Sequence, residues 1–157
     1  MESPFQHLRV EKLGEIGSDR LRRLFAYWEL KRGNRPRPKW SDMELMDIHD
    51  IMPFVYVKDL IEDGSNFQYR YWGTYLSHYL GYDMSGKTAR DHYTGEHLVM
   101  TIDRHVELLQ AGEPLISTGK VLWARDQEYK AYTGLALPFD GEAAPLRHLM
   151  FAFEFDT

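Results

Sequence analysis

At 157 residues the chain is long enough for one domain with a real core, and too short to divide comfortably into two. Its formal net charge of −5 argues against a general nucleic-acid binder, which is basic overall. The absence of cysteine excludes disulfides, thiolate metal sites and thiol nucleophiles, and suits a reducing compartment.

Residues 1–17 are weakly patterned. Leu8 and Val10 alternate with His7, Arg9 and Glu11, which allows a short strand before Gly14 and Gly17 break the chain. The first clear helix spans about residues 19–32. Ser18 is its N-cap, Asp19 complements its positive end, and Gly33 stops it. Leu21, Leu24, Phe25 and Trp28 form its apolar stripe, with Tyr27 and Leu30 widening it. That stripe packs on the domain's own sheet or, in part, forms a dimer interface with a second copy. Residues 31–39 then carry five positive charges and no acid. A phosphate contact is conceivable, but no aromatic is interleaved for base stacking, and Pro36 and Pro38 suit a stiff solvated loop.

Ser41 can cap a short helix through Leu45. Asp47, His49 and Asp50 resemble metal ligands at first sight, yet nothing completes a recognised spacing, so all three are expected to face solvent. Pro53 starts a strand over residues 54–61, and Asp63-Gly64 turns it into a hairpin.

Residues 66–86 hold the rest of the chain in order. Phe67, Tyr69 and Tyr71 fall on one strand face, and Gln68, Arg70 and Trp72 on the other. The alternation stops at Gly73, and Thr74 is placed to cap a helix carrying Tyr75, Leu76, Tyr79 and Leu80. Gly81 ends that helix, and a tight loop closes at Gly86. A longer helix is expected over residues 95–111. Leu98, Ile102, His105 and Leu109 form its buried stripe. Strands over 115–123, 129–139 and 147–155 follow, the last with Leu149, Phe151, Phe153 and Phe155 on one face. The pattern predicts an α+β fold built on a curved five-stranded antiparallel sheet, with the inserted helices over one face. Residues 1–40 form an N-terminal helical extension and basic loop, and 41–157 the domain proper.

This order of elements resembles that of PAS domains, and the residues resemble the small stand-alone PAS-type proteins common in alphaproteobacteria. The resemblance is carried by Tyr27-Trp28, the basic Gly-Pro segment, Pro53, and the corner from Tyr69 to Thr74. The loop Gly81-x-Asp83-x-x-Gly86-Lys87, and Leu137-Pro138 followed by Asp140-Gly141, complete it. It implies a space between sheet and helices that can hold a small ligand, with remaining surfaces used for dimerisation and signalling. It brings no established ligand and no catalytic residues.

No phosphate loop, dinucleotide fingerprint, zinc-protease motif or nucleophile elbow is present, so no enzymatic activity is expected. An enzyme of unrecognised type would need Asp83, His92, Glu96 and His97 to converge. A flavin–thiol adduct is excluded with the cysteines. Haem would need an axial ligand from His92, His97 or His105, each better suited to the surface or to a satisfied core position, so no cofactor and no metal are expected. The candidate ligand wall is Tyr69, Tyr71, Trp123, Tyr132 and His105, apolar rings with polar tips. The alternatives are that these side chains fill a solid core, or that the chain is purely an interaction module. No apolar run approaches the roughly 18 residues a membrane helix needs, and charges occupy the place of a signal-peptide core. The expectation is a soluble cytoplasmic regulatory module. A homodimer, a signalling partner and a small-molecule ligand are its expected partners, with no nucleic acid and no membrane.

Overall fold

The computed structural model describes residues 6–10, 13–120 and 131–155. Its strands are β1 (Gln6–Arg9), β2 (Val55–Ile61), β3 (Asn66–Trp72), β4 (Leu115–Lys120), β5 (Ala131–Phe139) and β6 (His148–Phe155). The helices are α1 (Asp19–Arg32), α2 (Thr74–Leu80), α3 (Ala89–His92) and α4 (Gly95–Gln110). The strands form one sheet in the order β1-β4-β5-β6-β2-β3, every neighbour antiparallel. Five of them are those of the expected sheet, and the remaining one is the short N-terminal strand that the alternation around Leu8 allowed. The sixth, β1, pairs along β4 from Gln6 opposite Thr118 to Arg9 opposite Leu115.

The outer edge of β3 is not left bare. Tyr69 N donates to Lys87 O at 2.9 Å, and Gly86 N to Tyr69 O at 2.8 Å. The loop after α2 thereby occupies backbone groups that would otherwise invite another strand.

Both faces of the sheet are apolar, because period-two alternation sends hydrophobic residues each way. Tyr56, Tyr69, Tyr132, Leu149, Phe151 and Phe153 point to the side where α2 brings Leu76 and Leu80, and α4 brings Leu108 and Leu109. We refer to α2, α3 and α4 as the roof. Val55, Val57, Leu135, Leu137, Met150 and Ala152 point the other way and meet α1. The inserted helices thus cover one face, as expected, while the N-terminal extension closes the opposite one.

That position of α1 decides the fate of its stripe. Leu21, Leu24, Phe25 and Trp28 are buried against this chain's own sheet, and the Trp28 indole donates to Pro138 O at 3.0 Å. Burying each such side chain is worth about 1.5–3 kcal/mol. The dimer interface expected from these four residues is therefore not available: intramolecular packing has already consumed the surface. Ser18 caps the helix through Leu21 N and also reaches Glu154 at 2.9 Å, which ties the helix start to β6.

The basic segment is held rather than loose. Arg37 pairs with Asp140 at 2.8 Å, and the backbone at Pro38 and Trp40 exchanges two hydrogen bonds with Asp140.

The corner at Gly73 is tighter than its sequence suggests. A Cβ there would lie 2.1 Å from Pro53 O, backbone that has no room to retreat. Gly73 itself is the N-cap of α2, so Thr74 opens the helix instead of capping it. Gly134 has a related role in β5: a Cβ there would meet the Phe151 ring at 2.1 Å, so its absence lets that ring lie against the sheet.

Candidate functional site

Four buried polar side chains of the described residues, Lys58, Arg104, His105 and Ser117, lie between the sheet and the roof. On β2, Tyr56 and Lys58 are two residues apart and share the roof-facing side. Lys58 is fully buried, with no solvent exposure at all. Its ammonium nitrogen lies 4.4 Å from the centre of the Tyr69 ring, 4.9 Å from that of Tyr56 and 5.9 Å from that of Phe67. It has no hydrogen-bond partner. An ammonium taken out of water without a partner is costly, and the protein's response is to release the proton. Burial accordingly holds the Lys58 amine well below the usual lysine range, and the Arg104 charge pushes it the same way.

Arg104 and His105 reach this region from α4, both buried. The Arg104 guanidinium donates to the Tyr132 hydroxyl at 2.7 Å and to Ser117 Oγ at 3.4 Å. Its central carbon stands 5.1 Å from the Phe151 ring centre, the ring that Gly134 allows into place. The Tyr56 hydroxyl lies 3.4 Å from both ring nitrogens of His105. Aromatic stacking fixes the walls: Tyr56 lies parallel to Phe151 at 5.4 Å and to Trp72 at 5.9 Å. Burial pushes the hydroxyls of Tyr56, Tyr69, Tyr93 and Tyr132 upward, so each is a neutral donor at physiological pH.

No carboxylate among the described residues is buried. The interior therefore offers donors and positive charge inside aromatic walls, a combination suited to holding a small molecule in a fixed orientation. A second polar cluster shows the contrast. On the opposite face Asp59 pairs with Arg70 at 2.9 Å and with His148 at 2.7 Å. Burial opposes ionisation there, yet the hydrogen bonds from His148 and Arg70 prevail and hold the carboxyl below its ordinary range. This cluster lines an open groove of about 500 Å³, but its charges already satisfy one another.

Of the five residues expected to line a ligand space, the structure brings Tyr69, His105 and Tyr132 together beneath the roof. Tyr71 is not among them. The ladder between β2 and β3 shifts register between Val57 and Lys58, so Val57 faces Tyr71 while Lys58 faces Tyr69. The bulge inserts one extra residue, and the side chains beyond it change faces. Tyr71 consequently packs on the α1 side, and Trp72, expected on the opposite face from Tyr69, joins it under the roof. Trp123 lies outside the described residues.

Two further residues emerge only from the structure. Lys58 reads in sequence as one charge in a strand that also carries Asp59; the signal available was its even spacing from Tyr56 and Leu60. Arg104 lies four residues before Leu108. The buried stripe of α4 is Arg104, His105, Leu108 and Leu109, rotated from the expected one, with Leu98 and Ile102 only half buried.

His92 and His97 are exposed, and no group of three or more His, Cys, Asp or Glu side chains is arranged to hold a metal among the described residues. No helix among them is long and apolar enough to cross a membrane.

A family model described as PAS domain matches residues 17–143, which includes α1 as well as most of the sheet and the whole roof. No curated protein and no solved structure matches the chain.

Proposed function

The chain belongs to the PAS domain family, and from that premise we propose that it is a sensory or regulatory module that binds a small ligand between sheet and roof and catalyses nothing itself. The observation that carries this reading is Lys58. A fully buried amine without a hydrogen-bond partner adds nothing to a solid core and weakens it. It has a purpose if a ligand completes it. Tyr56 and Tyr69 put ring faces around it, and Tyr132 and His105 bring further polar groups to the same interior, which orient a bound molecule without reacting with it.

A catalytic reading finds less support. The described interior contains a buried amine in Lys58 and a histidine, but no buried carboxylate to form an acid–base pair with either. Asp83, His92, Glu96 and His97, the alternative set, are all exposed.

The experiment is thermal denaturation of the full chain across a panel of small metabolites. A ligand that binds only the folded chain raises the melting temperature by mass action, by several degrees at about one hundred times its dissociation constant. The reading requires at least one compound that does this in the wild type and less so when Tyr132 is changed to Phe. A flat response across acids, bases, nucleotides and neutral aromatics would remove it.

A further inference from the structure

We propose that the ligand is a small carboxylate with an apolar body, its charged end set against Lys58 and Arg104 and its body among the aromatic rings. This rests on the ligand-binding reading above and gives it a chemical class. Three observations carry it. First, the Lys58 amine is fully buried and has no hydrogen-bond partner, so it presents donors that only an incoming acceptor can use. Second, Arg104 brings a guanidinium from the roof to the same interior. It is already oriented by Tyr132 at 2.7 Å and by Ser117 at 3.4 Å. Two basic groups thus face one interior in which no described carboxylate is buried. Third, the surrounding surface is aromatic: Tyr56, Tyr69 and Phe67 ring Lys58, and Phe151 lies beneath Arg104. A phosphate ester or inorganic phosphate keeps more charge and more bound water than such walls can replace, whereas a carboxylate on an apolar frame matches both parts.

Binding also moves a proton. The groups around Lys58 are the ring faces of Tyr56 on its own strand and of Phe67 and Tyr69 on β3, and the Arg104 charge from α4. None of them supplies a negative charge at neutral pH. A carboxylate does, so the amine takes up a proton from solvent as the anion enters, and an ion pair with charge-assisted hydrogen bonds replaces a bare amine.

Titration calorimetry of the full chain at about pH 8 tests this, with sodium phenylacetate, phenylacetamide and sodium phosphate as probes. Each is run in two buffers of different ionisation enthalpy. The expected result is phenylacetate binding at least about tenfold tighter than its amide, with net proton uptake from the buffer. Lys58→Met should abolish both the preference and the uptake while melting no lower than wild type. The melting temperature separates a lost ligand contact from a lost fold. Amide binding as tight as the acid, in wild type, overturns the carboxylate assignment but leaves ligand binding standing. Phosphate binding tighter than phenylacetate overturns it in favour of a phosphate ligand. If none of the three probes binds, the assignment falls, and the ligand reading is then decided by the thermal panel alone.

Discussion

Lys58 is the residue on which the functional account turns, and its energetics can be stated with a sign. The unfolded chain holds the Lys58 proton up to the ordinary lysine range, whereas the folded chain gives it up at lower pH, because burial comes first and Arg104 second. Where the unfolded state binds more protons, stability rises with pH. Relative to a Lys58→Met variant, the wild type should therefore gain stability as pH rises from the folded value toward 10.5, by up to about 1.4 kcal/mol per pH unit. At neutral pH the methionine variant should be the more stable by roughly 2 kcal/mol, since it fills the same space without a buried amine. Urea titrations at a series of pH values between about 7 and 9 read both quantities. Parallel stability curves for the two proteins would show that Lys58 is hydrated or paired, and the orphaned amine would no longer be an argument. In sequence this residue was hidden by its neighbours. Lys58 and Asp59 together look like the wet end of a strand, and only pairing with β6 at Leu149 shows that position 58 lies inside the sheet.

At the scale of elements, what could be read in advance were the features set by local chemistry. The hydroxyl of Ser18 caps α1, Gly33 and Gly81 stop α1 and α2 at positive φ, and β6 alternates from Leu149 to Phe155. What could not be read depends on contacts distant in sequence. The bulge that moves Tyr71 away from Tyr69 arises from the pairing of β3 with β2, and no periodicity within β3 reports it. The rotation of α4 toward Arg104 is likewise set by where Ser117 and Tyr132 stand. The β3–α2 corner gives the prediction at this scale. Gly73 N donates to Val55 O at 2.8 Å, which draws the corner down onto the turn at Pro53. Gly73→Ala forces a methyl against the Pro53 carbonyl and should cost about 3 kcal/mol of unfolding free energy, near the upper end for overpacking. Gly81→Ala is a useful companion, because a Cβ there meets nothing within 4 Å and only its φ of 88° opposes it. Its cost should be the smaller, about 1 kcal/mol. Chemical denaturation of both variants checks the order; an alanine at 73 that is tolerated better than one at 81 would mean the corner is looser than described.

Over the whole molecule, the sheet is a wall with two covered sides that do different things. The α1 side is packed with Leu, Ile, Val and Met, and its polar contacts, such as the Trp28 indole on Pro138, are satisfied. The roof side concentrates the buried bases, the buried tyrosines Tyr56, Tyr69 and Tyr132, and His105. The sequence announced an α+β antiparallel fold and the inserted helices, because alternation and helical spacing survive in any single chain. It left the second cover open between two readings, because an apolar helical stripe looks the same whether it meets its own sheet or another molecule. Leu21, Leu24, Phe25 and Trp28 show this ambiguity and its resolution. Any association of this chain must use other surfaces.

The most direct test of a ligand beneath the roof is native mass spectrometry of wild-type protein and Lys58→Met purified in parallel from the natural host. The wild type should carry a non-covalent mass that leaves on denaturation, and the Lys58→Met protein should lack it. Two bare chains, each at its sequence mass, would contradict the account.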